Sequence, residues 1–237
     1  MRRPPVFLVG FVLLFPLVQA LLYFVLMAGW NPAIQKTTYS LTKLVMLVLP
    51  VFYCIFVARE RWQIRPFNKR GLLEGGVFGI GVLLGMCLIY FYWLKPSGMV
   101  APGSAPANAI TAKLVSFGMD SPMRFWLFGA FVSFLHSGLE EYYWRWFTFS
   151  RLRRLIPTIP ATIVSGFGFM LHHVVILGVY FGVARIETWL FSLGVAVGGA
   201  YWSWLYARKD SIYAPWLSHA IIDIAIFIIG YDIAFSQ

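Results

Sequence analysis

Residues 6–30 read VFLVGFVLLFPLVQALLYFVLMAGW, with no charged side chain anywhere in the run. A bilayer-spanning helix needs about 20 mostly apolar residues, so this stretch is long enough to cross a membrane. Arg2 and Arg3 precede it, and Val18-Gln19-Ala20 has the small-residue look of a signal cleavage site. The run continues through Leu21 to Met27, however, beyond the length of a signal h-region, and reads as a retained span.

Working outward, six further stretches have the same character: 40–58, 72–94, 122–149, 158–180, 187–207 and 211–231. The whole chain is 60% hydrophobic and only 12% charged, against about 25% charged for a soluble domain. Too few charged groups remain to cover a water-soluble particle. Aromatics at 19% agree, because Trp and Tyr collect at membrane interfaces. The expected fold is an all-α polytopic bundle of about seven transmembrane helices, a single integral membrane domain over 1–237. Within it, 6–94 supplies three accessory spans and 122–231 a four-span core.

The net charge of +10 does not signal nucleic acid. The basic residues lie in short loops, with no long basic face or basic–aromatic platform. With the N-terminus cytoplasmic, one side carries Arg2, Arg3, Arg59, Arg61, Arg65, Lys69, Arg70, Arg151, Arg153, Arg154, Arg208 and Lys209. The other carries Lys36, Lys43, Lys95, Lys113, Arg124 and Arg185, a bias that predicts an N-in, C-out orientation. Cys54 and Cys87 both fall in apolar runs and read as packing residues. The Pro-, Gly-, Ser- and Ala-rich stretch 95–121 holds a short helix near 107–117. The pairs Gly75/Gly79, Gly81/Gly85 and Gly194/Gly198 predict close helix–helix contact.

The polar residues are unevenly placed. Spans one to three have almost no ionisable group away from their ends. The later spans carry Glu140, Glu141, Arg145, His136, His172, His173, His219 and Asp223. A charge at mid-span costs about 2.5–3.5 kcal/mol on insertion scales, and packing alone does not ask for it. Glu141 and Arg145 are four apart on one helical face, the carboxylate on the N-terminal side. Phe169 with His173, and His219 with Asp223, share faces by the same spacing. At about 1.5 Å per residue, Glu140, His173 and His219 come to similar depths in the cytoplasmic half of the bilayer.

Glu140-Glu141-Tyr142-Tyr143-Trp144-Arg145, Phe169 to His173, and His219 to Asp223 fit E-E-x-x-x-R, F-x-x-x-H and H-x-x-x-N/D. In this order these resemble the three motifs of the CPBP family (CAAX proteases and bacteriocin-processing enzymes), which includes the type II CAAX prenyl endopeptidases, glutamic intramembrane proteases. The resemblance covers 122–223. It implies a peptide-bond hydrolase in which Glu140, its pKa raised by a low-dielectric site, is the general base and His173 holds the same water. It further implies that Glu141 and Arg145 orient Glu140 and that His219 hydrogen-bonds the oxyanion. Asp223 stands where Asn can occur. An ionised Asp only accepts hydrogen bonds, so orienting or charging His219 suits it better than binding the oxyanion.

Phe169 reads as cavity wall. His172, about 100° round the helix from His173, reads as structural, and His136, one turn before Glu140, as a supporting residue. No cofactor is implied. Zinc held by Glu140, His173 and His219 has suitable ligand types but lacks the H-E-x-x-H signature. The partners expected are the lipid bilayer and a membrane-associated protein or peptide substrate, and the short loops fit a prokaryotic cytoplasmic membrane. Two other classes remain open: a proton-coupled transporter, whose polar residues should then continue through spans one to three, and a non-catalytic scaffold or immunity factor.

Overall fold

The computed structural model describes residues 3–60 and 67–235. Of the orienting charges, Arg2, Arg61 and Arg65 lie outside the described residues. Among those residues the chain is all helix, with no strand. The elements are α1 (Val6–Leu26), α2 (Pro32–Val57), α3 (Lys69–Leu94), α4 (Ala105–Ser116), α5 (122–152), α6 (Thr158–Phe181), α7 (Ile186–Lys209) and α8 (Tyr213–Phe235). Each stretch expected to be helical falls largely within a helix, although 27–30, 58, 117 and 211–212 are not helical.

By length and composition α1, α2, α3, α6 and α8 are apolar enough to cross a membrane, which makes this an integral membrane protein. The expected spans 122–149 and 187–207 correspond to α5 and α7, which are more polar. Helix starts follow capping chemistry. Asn31 accepts from the Ala33 N–H at 2.8 Å with Pro32 at the first position, so α2 begins eight residues before the apolar run at 40. As a result Lys36, expected in a loop, sits inside α2. Asn68, Ser104 and Ser121 cap α3, α4 and α5 in the same manner.

The helices form two compact units whose chain segments interleave: Met1–Pro66 with Glu140–Ile212, and Phe67–Leu139 with Tyr213–Gln237. In the first, Val9, Phe149, Leu152, Ala161 and Tyr206 make a buried cluster joining α1, α5, α6 and α7. Pro16 has no N–H for the Val12 carbonyl one turn earlier in α1. The Tyr143 hydroxyl donates to that carbonyl at 2.8 Å and satisfies it. Helix α6 meets α7 at Gly166, where an added Cβ would lie 2.6 Å from the Ala196 carbonyl oxygen.

In the second unit α3 packs on α8 through Gly75 and Gly79, as the small-residue spacing predicts. A Cβ at Gly79 would stand 3.0 Å from the Ser218 carbonyl oxygen. The other two glycine pairs behave differently: nothing lies within 4 Å of a Cβ at Gly81, Gly85 or Gly194. Tyr90 and Lys95 both donate to Asp232 at 2.6 Å, fastening the end of α3 to α8.

Candidate functional site

Helix α5 carries the first motif on an unusual backbone. The segment 137–141 is α-helical, but it lies between two wide π-helical stretches, Phe131–His136 and Tyr142–Phe149. Such stretches turn side chains onto faces that regular 3.6-residue winding does not predict, and they recur at functional sites.

In the first unit Glu140 is buried, and Glu141 and Arg145 have no exposed surface. Arg145 Nε stands 3.0 Å from Glu141 Oε2. The guanidinium also lies 4.9 Å from the Phe169 ring centre and 5.1 Å from that of Trp202. Burying a cation is costly unless it is paired; one carboxylate and two aromatic faces provide the compensation here. The three residues between the pair have structural tasks. Tyr142 donates to the Leu47 carbonyl of α2 at 2.8 Å, Tyr143 bonds α1, and Trp144 is fully enclosed.

Helix α6 brings the second motif to the same place. His173 Nδ1 is 3.0 Å from the Phe169 carbonyl oxygen, which can only accept. Nδ1 therefore bears the hydrogen, and the lone pair of the neutral ring resides on Nε2, the atom able to take a proton. His172, which helical spacing alone makes structural, is buried with Nε2 at 3.9 Å from Glu140 Oε1. Its signal in the sequence was its mere presence in an apolar span, since a buried imidazole needs a polar neighbour. Tyr39 and Lys43 of α2 are also within electrostatic reach of Glu140.

In the second unit α8 positions the third motif. His219 and Asp223 are both buried, with Nε2 and Oδ1 3.7 Å apart, one helical turn along the same face. The turn before them is held by Gly79 against Ser218 and by Trp216, whose indole N–H donates to the Phe134 carbonyl at 2.8 Å. His136 is half-buried in α5. Thus the first unit gathers Glu140, Glu141, Arg145, Phe169, His172 and His173, and the second holds His219 and Asp223. Among the described residues no group of three or more His, Cys, Asp or Glu side chains is arranged to hold a metal ion.

A second charged cluster lies at the C-terminal ends of α2 and α5. Glu60 accepts from Arg151 at 2.8 Å and from Arg154, and Arg151 Nη2 is 2.9 Å from Cys54 Sγ. Burial alone would raise the Glu60 pKa. The hydrogen bonds from the two arginines outweigh it and bring the carboxyl down to about 2.

Residues 122–225 match the family described as type II CAAX prenyl endopeptidase Rce1-like. No curated protein and no solved structure matches the chain. The matched region contains all three motifs, and it is the family that those motifs resemble.

Proposed function

From a chain whose residues 122–225 match the type II CAAX prenyl endopeptidases, we propose an intramembrane endopeptidase that hydrolyses a peptide bond in a membrane-associated protein or peptide. The observation that carries this reading is a buried carboxylate, Glu140, beside an imidazole and one residue from a fully buried Glu141–Arg145 pair. Packing does not require that arrangement, whereas amide hydrolysis uses it.

Glu140 takes a proton from water as the oxygen attacks the peptide carbonyl, and His173 holds that water through Nε2. Arg145 neutralises Glu141, so the adjacent Glu140 is not opposed by a second free carboxylate. His219 donates to the oxyanion, and Asp223, a turn away, orients that imidazole. Collapse of the intermediate breaks the C–N bond, and the proton taken from water passes to the leaving amine. A substrate anchored by a prenyl group fits the family's printed description, and a membrane setting fits the apolar helices.

The decisive experiment is cleavage of a farnesylated, internally quenched CAAX peptide by purified protein in nanodiscs. Glu140→Gln keeps the size and removes the base, so turnover should fall by about 10²–10⁴-fold in a protein that remains folded. Near-wild-type turnover would refute the reading. Because the proposed chemistry uses protein groups alone, 1,10-phenanthroline should leave the rate within about twofold. Loss of activity restored specifically by zinc would transfer the role of Glu140 to metal binding.

A further inference from the structure

The two adjacent histidines of α6 raise a question that the motif does not answer: why a second buried imidazole stands beside Glu140. We propose that His172 is a positioning residue for Glu140, its imidazole holding the carboxylate ionised and aimed at the water that His173 carries. This rests on the peptidase reading and adds a residue to it.

The geometry around His172 is that of a clamped ring. It lies parallel to Trp144, with ring centres 5.9 Å apart and planes 10° apart, and it meets Phe169 edge to face at 5.3 Å. Both walls are fixed, with Trp144 0% and Phe169 1% exposed. Gly168 provides the room, because a Cβ there would stand 3.2 Å from Trp144 Cζ3. The clamp leaves Nε2 facing Glu140 at 3.9 Å, beyond a direct hydrogen bond but within ion-pair range.

The two imidazoles then divide their work. Their centres are 4.1 Å apart, so a proton on one ring opposes a proton on the other. His173, with Nδ1 committed to Phe169, stays neutral and keeps Nε2 basic, while His172 carries the charge next to the carboxylate. Other charged and titratable groups that act on Glu140 include Arg145 on its own helix, engaged by Glu141, and Tyr39 and Lys43 on α2. Lys43 adds positive potential, and its ammonium lies 5.6 Å from the Tyr39 ring centre. His172 combines a fixed ring with an atom 3.9 Å from the carboxylate.

The test is His172→Phe in the full-length protein, which keeps an aromatic ring against Trp144 and removes both nitrogens. Two readouts are needed: kcat and KM for the farnesylated peptide across pH, and an infrared titration of the protonated-carboxyl band that Glu140→Gln abolishes. We expect kcat to fall about tenfold with KM within about twofold. The acid limb and the infrared midpoint should both move up by about one pH unit, because a cation that favours the ionised carboxylate is gone. His172→Gln, which restores a donor, should recover part of kcat.

Wild-type kcat together with an unmoved midpoint would overturn the proposal. If the Phe variant does not fold, the same two measurements on His172→Gln decide, with a smaller shift in the same direction expected. Wild-type protein that cleaves nothing would sink the peptidase reading. The infrared midpoint would still show whether His172 governs the charge on Glu140.

Discussion

At the scale of single residues, the Glu141–Arg145 pair shows how a span tolerates full charges. Neither side chain has exposed surface, and the cation is covered by Phe169 and Trp202. Removing Arg145 alone strands a buried carboxylate, whereas removing both partners removes the problem. Arg145→Leu should therefore destabilise by about 3–5 kcal/mol, and the Glu141→Leu/Arg145→Leu double variant by much less. Thermal unfolding in detergent checks this; equal, additive losses would contradict the pairing. His219 and Asp223 invite a milder change. Asn can still accept from an imidazole, so Asp223→Asn should retain part of the peptidase rate and Asp223→Leu very little. Here spacing made the pairs legible, since helical winding brings residues four apart together. The same rule turned His172 away from the site, because it concerns one helix and Glu140 lies on another.

At the scale of elements, contact between helices depends on where a backbone can approach. Gly166 lets α6 reach the Ala196 carbonyl and Ala200 amide of α7, and an added Cβ there would come within 2.6 and 2.9 Å of them. Gly166→Val should cost about 1–3 kcal/mol in overpacking and lower activity without touching a reacting group. Gly194→Val, with nothing within 4 Å, should leave both stability and turnover near wild type. Melting temperature and peptide cleavage of the two variants side by side test the contrast. Glycine spacing identified Gly75 and Gly79 correctly, yet it also selected Gly194, whose neighbours are remote. A spacing pattern shows that a helix has a smooth face, not whether another helix covers it. The start of α2 is similar: hydropathy placed the boundary at 40 and left Lys36 outside, whereas the Asn31 cap starts the helix at Pro32.

At the scale of the whole molecule, distant parts of the chain are joined by charges that no local pattern pairs. Glu60 follows α2 and is held by Arg151 and Arg154, more than ninety residues on. Its carboxyl titrates at about 2 in the folded protein, below its unfolded value of about 4.3. The stabilisation is thus complete above the unfolded value and is lost as pH falls towards 2. Glu60→Gln should melt a few degrees lower at pH 7, and the gap from wild type should close progressively below about pH 4. A constant gap across that range would mean the ion pairs do not form.

The sequence by itself determined that the chain is a membrane-embedded helical protein, where its helices lie, and which residues carry the three motifs. Those properties follow from local quantities: apolar length set by bilayer thickness, capping residues, and four-residue spacing on one helix. Only the tertiary structure decided that Trp144 and Phe169 clamp His172 against Glu140, that Tyr143 repairs the carbonyl orphaned by Pro16, and that α6 touches α7 at Gly166. Each of these joins residues on different helices. In such a chain nearly every segment is apolar, so hydrophobicity cannot say which faces meet; that is decided by the fit of small residues, aromatic walls and buried polar groups between helices.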